Sequence, residues 1–366
     1  MKILTVVGAR PQFIKAAALS RVLRKKYTEV LVHTGQHYDP QMSDLFFEEL
    51  QIPKPDYQLG IAGGTHGQMT ARMLTAIEEV LIKEKPDALL VYGDTNSTIA
   101  AALAAVKLHV PILHVEAGNR FGSLQNPEEV NRIVTDHVSA LLFPCVESAM
   151  KELEKENLGK KAILAGDPMY DAFRFYLEAQ KDRTEALLPG LAGAKVKAPK
   201  SFYYLTCHRQ ENTQTDEAMM EIFSAMESLE APTLYPVHPR NRERAIRLHG
   251  ELGLEKVWLL EPIGYLDSIW LCAHAKKVVT DSGGVQREAF FAQVPCVTIF
   301  DWPAWPETME GNCNQLAKPK KADILEKLKV EPVWNAMTQP FGDGYACEKI
   351  CAAIGERFFS DGSNSF

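Results

Sequence analysis

Short apolar runs alternate with amphipathic stretches from the first residues onward. In the first half of the chain the apolar runs are KILTVVG, EVLVHTG, DALLVYGD, VPILHVE and ALLFPC. Runs this continuous are typical of strands that are covered on both faces, as in a parallel sheet flanked by helices. Amphipathic segments such as QMTARMLTAIEEVLIKE lie between them and predict the helices. The pattern therefore predicts an α/β fold built on a parallel sheet.

The alternation pauses once and then restarts. Residues 182–200 are rich in Gly, Pro and Lys, and they are followed by the runs SFYYLTC, TLYPVH, KVWLLEP, KKVVTDSGG and PCVTIF. Two consecutive series of β/α units predict two Rossmann-like, doubly wound domains, which bind ligands at the carboxyl ends of their strands. We place the domains at residues 1–180 and 181–344 and expect the ligand in a cleft between them. Periodicity alone does not assign the last helix, about 345–366, to either domain.

Composition narrows the function classes. A net charge of −7 over 366 residues argues against a nucleic-acid-binding surface. The longest apolar stretch, IAAALAAVKLHVPILHV, is interrupted by Lys107, His109 and Pro111, so we expect no membrane span. The start shows no secretory signal, and the seven cysteines are scattered without a CxxC pair, which favours a reduced, cytoplasmic protein. HExxH, His-x-His and Asp-x-Asp patterns are absent from the sequence, so we expect no catalytic metal.

Polar residues follow the predicted strands of the first half. Arg10 lies in the turn after the first strand, and Lys15 lies one turn into the helix that follows. Cations in these positions, beside the backbone N–H groups of a helix start, suit an anion. The alternative is a solvated basic turn, which the helix dipole disfavours. Asp94 follows a later strand in GDTNST, and from this motif alone it is equally an N-cap or a catalytic acid.

The second half repeats the arrangement. His208 and Arg209 follow one strand in CHRQEN, and His238 follows the next in PVHPRN, which indicates a polar pocket with candidate acid, base or phosphate-binding groups. In DSGGVQREA a tight turn precedes a helix whose backbone amides suit a phosphate, and Glu288, about one turn inside, suits ribose hydroxyls. The residues of this turn are Ser282, Gly283 and Gly284.

The stretch HVEAGNRFGSLQNPEEVNR contains three glutamates, which could bind a metal, transfer protons or cap a helix. Asn126 and the proline after it predict a helix start, and Glu129 completes an Asn-x-x-Glu pattern like a capping box. Glu116, at a strand end, and Glu128 remain as chemical candidates, with Arg132 as the expected partner of Glu128.

With these motifs assembled, the chain resembles the non-hydrolysing UDP-N-acetylglucosamine 2-epimerases over nearly its whole length. The matching segments stand in the family's order: GARPQFIK, TGQHYD, GDTNST, HVEAG, PEEVNR, CHRQEN, PVHPRN, DSGGVQREA and PFGDG. Details such as GGTHGQMT and GYLDSIWL are nearer the branch acting on UDP-2,3-diacetamido-2,3-dideoxyglucuronic acid. The resemblance implies a GT-B-like fold in which the last helix packs back on the first domain, and a homodimer.

It also implies elimination of UDP to a 2-acetamidoglycal and re-addition, without cofactor or metal. The implied acid/base group is Asp94, Glu116 and Glu128, with His208 near the leaving phosphate. The implied ribose contact is Glu288, and the implied nucleotide-diphosphate contacts are Arg10, Lys15, His238, Ser282, Gly283 and Gly284. Arg132 and Arg209 are further candidate substrate contacts from their positions in the sequence.

The sequence departs from the family pattern in two places. In FDWPAWPETME, Phe300 stands where the family usually has an arginine, and Ala304 replaces an acid. Asn119 in HVEAGNR stands where leucine is usual. Three alternatives therefore remain: a hydrolysing epimerase that releases free sugar and UDP, a glycosyltransferase of the same fold, and a catalytically silent UDP-sugar-binding protein.

Overall fold

The computed structural model describes residues 1–36, 47, 49–335 and 337–359. The last three residues of TGQHYD and residues 360–366 of the predicted last helix lie outside the described residues. Among the described residues, no helix combines the length and the apolar character that a bilayer span requires.

The described strands are short and almost entirely buried in the two large sheets. Their bounds are β1 Lys2–Val7, β2 Thr28–His33, β3 Tyr57–Gln58, β4 Ala88–Tyr92, β5 Ile112–Val115, β6 Leu141–Phe143, β7 Leu187–Pro189, β8 Lys195–Lys197, β9 Tyr203–Thr206, β10 Thr233–Pro236, β11 Val257–Leu260, β12 Val278–Thr280, β13 Cys296–Ile299 and β14 Asn314–Ala317.

Helices connect the strands of both sheets. The α-helices are α1 Arg10–Leu23, α2 His66–Glu84, α3 Asn96–Lys107, α4 Pro127–Val138, α5 Glu147–Lys155, α6 Pro168–Glu178, α7 Gln210–Thr213, α8 Asp216–Glu227, α9 Arg242–Leu252, α10 Tyr265–His274, α11 Gly283–Phe291, α12 Lys321–Leu328 and α13 Ala346–Phe359. Short 3₁₀ turns span Gly159–Lys161, Leu191–Gly193, Pro239–Asn241 and Pro306–Asn312.

Two compact units share one topology. The first comprises Met1–Arg174 and the described residues from Gln339 onward, and the second comprises Phe175–Thr338. The strand orders are β3-β2-β1-β4-β5-β6 and β11-β10-β9-β12-β13-β14, and every neighbouring pair is parallel. This is the doubly wound order, which reverses direction between β1 and β4 and between β9 and β12. The prediction of two parallel, doubly wound sheets is confirmed.

Two segments had no strand or domain assignment from periodicity. The Gly- and Pro-rich stretch contains the antiparallel hairpin β7–β8, whose Leu188 is fully buried against the second sheet. Helix α13 lies in the first unit, where the Tyr27 hydroxyl donates to the Cys351 carbonyl at 3.2 Å and the Cys347 amide donates to Asp171 at 2.7 Å. All seven cysteines lie in the described part of the chain as buried, unlinked thiols.

Candidate active site

In the first unit, the predicted residues gather at the carboxyl ends of β1, β4 and β5. Arg10 begins α1 directly after β1, Asp94 follows β4, and Glu116 follows β5. These strands are neighbours at the point where the strand order reverses, which is where doubly wound folds bind ligands. The structure therefore places these three side chains along one edge of one sheet.

Each of two carboxylates in this group has a cationic partner. The Lys15 ammonium, only 3% exposed, forms an ion pair with Glu116, whose side chain is 12% exposed. Arg132 forms ion pairs with Asp94 and, through Nη1 at 2.6 Å, with Glu129. Because Lys15 and Arg132 are almost fully buried, their charges are weakly screened and act strongly on the neighbouring acids.

Burial raises the pKa of Asp94 above its ordinary range. Arg132 and Lys15 act in the opposite direction, while the negative charge of Glu116 raises the pKa further. Asp94 thus keeps its proton to a higher pH than an exposed aspartate does, which suits a group that accepts and returns a proton. Asp94 is also not the cap of α3, because Thr95 occupies that position and accepts from the Thr98 amide at 3.3 Å.

The backbone at Glu116 adopts an uncommon conformation. Its φ is +67°, in the left-handed region, where a non-glycine residue costs about 1–3 kcal/mol. Such conformations persist only where the surrounding structure imposes them, and they concentrate at functional sites. The strained backbone therefore supports a functional role for Glu116, the residue directly after β5.

The structure corrects the predicted roles around α4. Asn126 is the N-cap, as predicted, but its side chain accepts from the Glu128 amide at 2.9 Å. Glu129 does not complete a capping box; it is buried and accepts from the amides of Phe121 and Gly122 at 2.9 and 3.0 Å. Glu128 is exposed, and Arg132 pairs with Asp94 and Glu129 instead, so the predicted Glu128–Arg132 pair is wrong.

Sequence reasoning missed the residue that fills the β1–α1 turn. The Gln12 side chain is buried and accepts from the Gly8 and Ala9 amides at 2.8 and 3.1 Å, directly before the helix start for which the sequence predicted an anion site. Its Nε2 donates to the Tyr92 carbonyl at 2.7 Å and thereby ties this turn to the end of β4. The glutamine in GARPQ was visible in the sequence, but nothing local indicated that its partner lay 80 residues away.

In the second unit, Asp281 organises the turn that carries His208. The buried carboxylate accepts from the amides of His208 and Arg209 at 2.9 and 2.8 Å, and His208 Nδ1 lies 3.1 Å from it. Burial acts to raise the pKa of Asp281, but the His208 contacts and the two amides more than offset it, so the pKa lies below its ordinary range. The His208 ring stacks on that of His238, with centroids 5.9 Å apart.

The predicted phosphate turn begins α11. The Ser282 hydroxyl caps the helix by accepting from the Val285 amide at 3.4 Å, and Gly283 is the first helical residue. A side chain at Gly283 would lie 3.5 Å from the Trp305 indole nitrogen, so the 300–307 loop closely approaches the turn. Glu288 is 3% exposed. Burial, together with the negative charge of Glu288, raises the pKa of Tyr265 well above its usual value.

In the 300–307 loop, whose sequence departs from the family pattern, the aromatic residues make specific contacts. The Arg209 guanidinium lies 4.0 Å from the Phe300 ring centroid and donates through Nε to the Asp281 carbonyl at 2.7 Å. Trp302 packs on Phe300 with centroids 4.7 Å apart. Trp305 is 7% exposed, and the Arg287 guanidinium lies 3.9 Å from its ring. The loop thus provides flat surfaces for two arginines.

One group of metal-ligand atoms occurs among the described residues. Side-chain atoms of Glu116, Cys145 and Asp167 lie within 4.8 Å of one another. The Lys15 ammonium already pairs with Glu116. The positive charge beside the Glu116 carboxylate is therefore that of Lys15.

The chain is similar to known proteins over nearly its whole length. A family model described as UDP-N-acetylglucosamine 2-epimerase matches residues 21–355. The chain is 47% identical over 360 residues to the UDP-2,3-diacetamido-2,3-dideoxy-D-glucuronate 2-epimerase of Pseudomonas aeruginosa, covering 96% of this chain and 98% of the relative. It is 44% identical over 358 residues to a UDP-N-acetylglucosamine 2-epimerase homolog of Methanococcus maripaludis, covering 97% and 99%.

A solved structure has the same fold. The UDP-GlcNAc 2-epimerase of Methanocaldococcus jannaschii, crystallised with UDP-GlcNAc and UDP, matches with a TM-score of 0.85 and 35% identity, over 97% of this chain and 99% of that one. This neighbour confirms the GT-B-like fold class predicted for the two doubly wound units. The chain therefore belongs to the UDP-N-acetylglucosamine 2-epimerase family.

Proposed function

We propose that this protein is a non-hydrolysing 2-epimerase of a UDP-activated 2-acetamido sugar. One observation carries the proposal: Asp94 and Glu116 lie on neighbouring strand ends with their own buried cations, and the pKa of Asp94 is raised. Inverting a carbon centre requires a base on one face and an acid on the other, so a pair of carboxylates with unequal proton affinities suits the reaction.

The proposed reaction has two halves. A carboxylate removes the C2 proton while the C1–O bond to UDP breaks, which leaves a 2-acetamidoglycal with a C1–C2 double bond. UDP then adds back at C1 while an acid returns a proton to the opposite face of C2. Asp94, Glu116 and Glu128 serve as the acid/base group. Lys15 pairs with Glu116 and Arg132 with Asp94, and Arg10 and Lys15 serve as contacts of the nucleotide diphosphate.

We assign the departing UDP to the second unit. His208 takes the place next to the leaving phosphate, held by the buried Asp281. Fixed cations and amides stabilise the negative charge that develops on a leaving diphosphate. In this unit the proposed diphosphate contacts are Arg209, His238, Ser282, Gly283 and Gly284, and the proposed ribose contact is Glu288.

Among substrates, we favour UDP-2,3-diacetamido-2,3-dideoxyglucuronate over UDP-GlcNAc. The chain is 47% identical to an epimerase named for the former and 35% identical to one crystallised with the latter. Each substrate should be incubated with the protein in D2O and followed by NMR. Deuterium at C2 together with a second UDP-sugar supports epimerisation, and free sugar with UDP indicates the hydrolysing alternative. Absence of exchange with both substrates would exclude the proposed activity for them.

We further propose that the protein is a cytoplasmic homodimer that makes precursors of cell-surface polysaccharide. Seven buried, unlinked thiols are consistent with a reducing compartment. Light scattering coupled to size-exclusion chromatography tests the dimer, since a mass of 40.8 kDa would identify a monomer.

A further inference from the structure

The proposed mechanism does not use one buried histidine that lies close in the structure to Asp94 and Glu116. His114, in β5, is fully buried. Its Nδ1 lies 2.7 Å from Asp136 Oδ1, and its Nε2 lies 2.7 Å from the Gly93 carbonyl oxygen. A carbonyl oxygen can only accept a hydrogen bond, so Nε2 carries a proton.

The protonation of Nδ1 depends on its partner, Asp136. The second carboxylate oxygen of Asp136 accepts from the Gly118 amide at 3.0 Å and from Arg120 at 2.8 Å. Burial acts to raise the pKa of Asp136, but His114 and Arg120 more than offset it and hold the pKa below its ordinary range. The buried ion pair with Arg120 and the bond from the Gly118 amide favour the carboxylate form of Asp136. A carboxylate, like the carbonyl, can only accept a hydrogen bond, so Nδ1 donates as well.

We propose that His114 is a buried imidazolium whose ion pair with Asp136 positions both catalytic acids. Through Nε2 it holds the carbonyl of Gly93, the residue before Asp94. Through Asp136 it holds the amide of Gly118, two residues after Glu116. His114 touches no substrate and acts as a positioning residue.

The surrounding contacts explain why this pair favours a defined geometry. Arg120 is itself fixed by two bonds to Glu156, at 2.7 and 2.8 Å, and Lys161 donates to the Asp136 carbonyl at 3.0 Å. A buried ion pair contributes little net stability compared with apolar packing, but losing one member leaves an uncompensated charge. The network thus constrains the backbone beside Asp94 and Glu116, at Gly93 and Gly118, more than it stabilises the fold.

An NMR measurement tests the protonation state independently of any activity. The full-length protein is labelled with ¹⁵N-histidine, and long-range ¹H–¹⁵N spectra at pH 7.5 are assigned with His114→Gln. We expect both ring nitrogens of His114 to be protonated, and the ring to become neutral in Asp136→Asn. A neutral His114 tautomer in the wild-type protein overturns the proposal.

Kinetics test the positioning role, and this arm rests on the proposed epimerase function. In His114→Gln we expect kcat to fall about tenfold or more, because small displacements of reacting groups are costly, while KM and UDP affinity change less than about twofold. The matched control is His137→Gln, at an exposed histidine beside Asp136, for which we expect wild-type kcat.

The two arms fail in different ways. If the wild-type protein epimerises neither substrate, the proposed function fails while the NMR result still decides the imidazolium. An unchanged kcat in a folded His114→Gln, or an equal loss in His137→Gln, overturns the positioning role. If His114→Gln does not fold, Asp136→Glu, which keeps the negative charge, replaces it: we expect a reduced kcat with an unchanged KM, and unchanged kcat contradicts the proposal.

Discussion

Glu128 and Glu129 are adjacent in α4, yet the first side chain is exposed and the second is 1% exposed. Glu128→Gln removes a charge that forms no ion pair with a described residue, so we expect the free energy of unfolding to stay within about 0.5 kcal/mol. If Glu128 is an acid or base, deuterium exchange at C2 is lost at the same time. Urea unfolding and exchange in D2O measure the two effects.

Glu129→Gln is the matched control for this pair. It leaves Arg132 without one of its two carboxylate partners and weakens the bonds to the Phe121 and Gly122 amides. Breaking a buried ion pair costs about 3–5 kcal/mol, so urea unfolding should shift strongly. Retained exchange in Glu128→Gln would remove Glu128 from the acid/base group and leave Asp94 and Glu116.

The proton affinity of Asp94 is predicted to respond to its two charged neighbours with opposite signs. Glu116→Gln removes a negative charge that raises the pKa of Asp94, so that pKa should fall. Arg132→Gln removes a positive charge that lowers it, so the pKa should rise and the protonated form persist to higher pH. Carboxyl ¹³C titration by NMR, assigned with Asp94→Asn, measures both shifts.

A remote variant serves as the control for the Asp94 titration. Arg24 pairs with Glu29 at the far end of α1, and Arg24→Gln should leave the Asp94 curve in place. Shifts of the same sign in Glu116→Gln and Arg132→Gln would contradict the idea that these two charges act directly on Asp94.

At the scale of an element, the 300–307 loop places Phe300 against Arg209, at the position where the family usually has an arginine. The Arg209 guanidinium lies on the Phe300 ring, and its Nε is fixed to the Asp281 carbonyl, so the remaining donors have one orientation. We infer that Phe300 aligns Arg209 for the diphosphate and so offsets the missing cation. The substitution is therefore compatible with catalysis and does not by itself indicate a silent protein.

Replacing the aromatic ring tests this loop. A cation–π contact at a partly exposed site contributes about 0.5–1 kcal/mol, so Phe300→Leu should weaken UDP binding roughly two- to fivefold. Phe300→Tyr keeps the ring face and should bind UDP like the wild-type protein. Isothermal titration calorimetry with UDP measures both, and equal affinities of the Leu variant and the wild-type protein would mean that Arg209 does not depend on the ring.

At the scale of the whole molecule, the sequence predicted whatever has a local signature. The parallel sheets followed from continuous apolar runs, and the residues at strand ends followed from the way such sheets are wound. The hairpin β7–β8 was missed because its strands are only three residues long and resemble a Gly- and Pro-rich linker.

The pairing of side chains was the feature that the sequence predicted least well. Arg132 lay one turn from Glu128, but its partners are Asp94, 38 residues away, and Glu129. Gln12 and His114 likewise make contacts across the sheet that no periodicity encodes. Motif spacing therefore located the acids, and only the fold reveals which cation holds each one.

The two units offer a way to measure their stabilities separately. All five tryptophans lie in the second unit, so tryptophan fluorescence monitors that unit while far-UV circular dichroism monitors both. Ile350 in α13 and Ile324 in α12 are both fully buried, the first in the unit that contains Asp94 and the second in the other. Each Ile→Ala change should cost about 2–5 kcal/mol through the cavity it leaves.

We expect Ile350→Ala to shift the urea transition seen by circular dichroism while the fluorescence transition stays in place, because each unit has its own buried core. Ile324→Ala, the matched change, should shift the fluorescence transition. A saturating concentration of UDP, about 100 times Kd, should then move the fluorescence transition by roughly 2.7 kcal/mol if the nucleotide binds the second unit. A fluorescence shift in Ile350→Ala would mean that the units unfold as one cooperative system, and UDP could not then be assigned to either by this measurement.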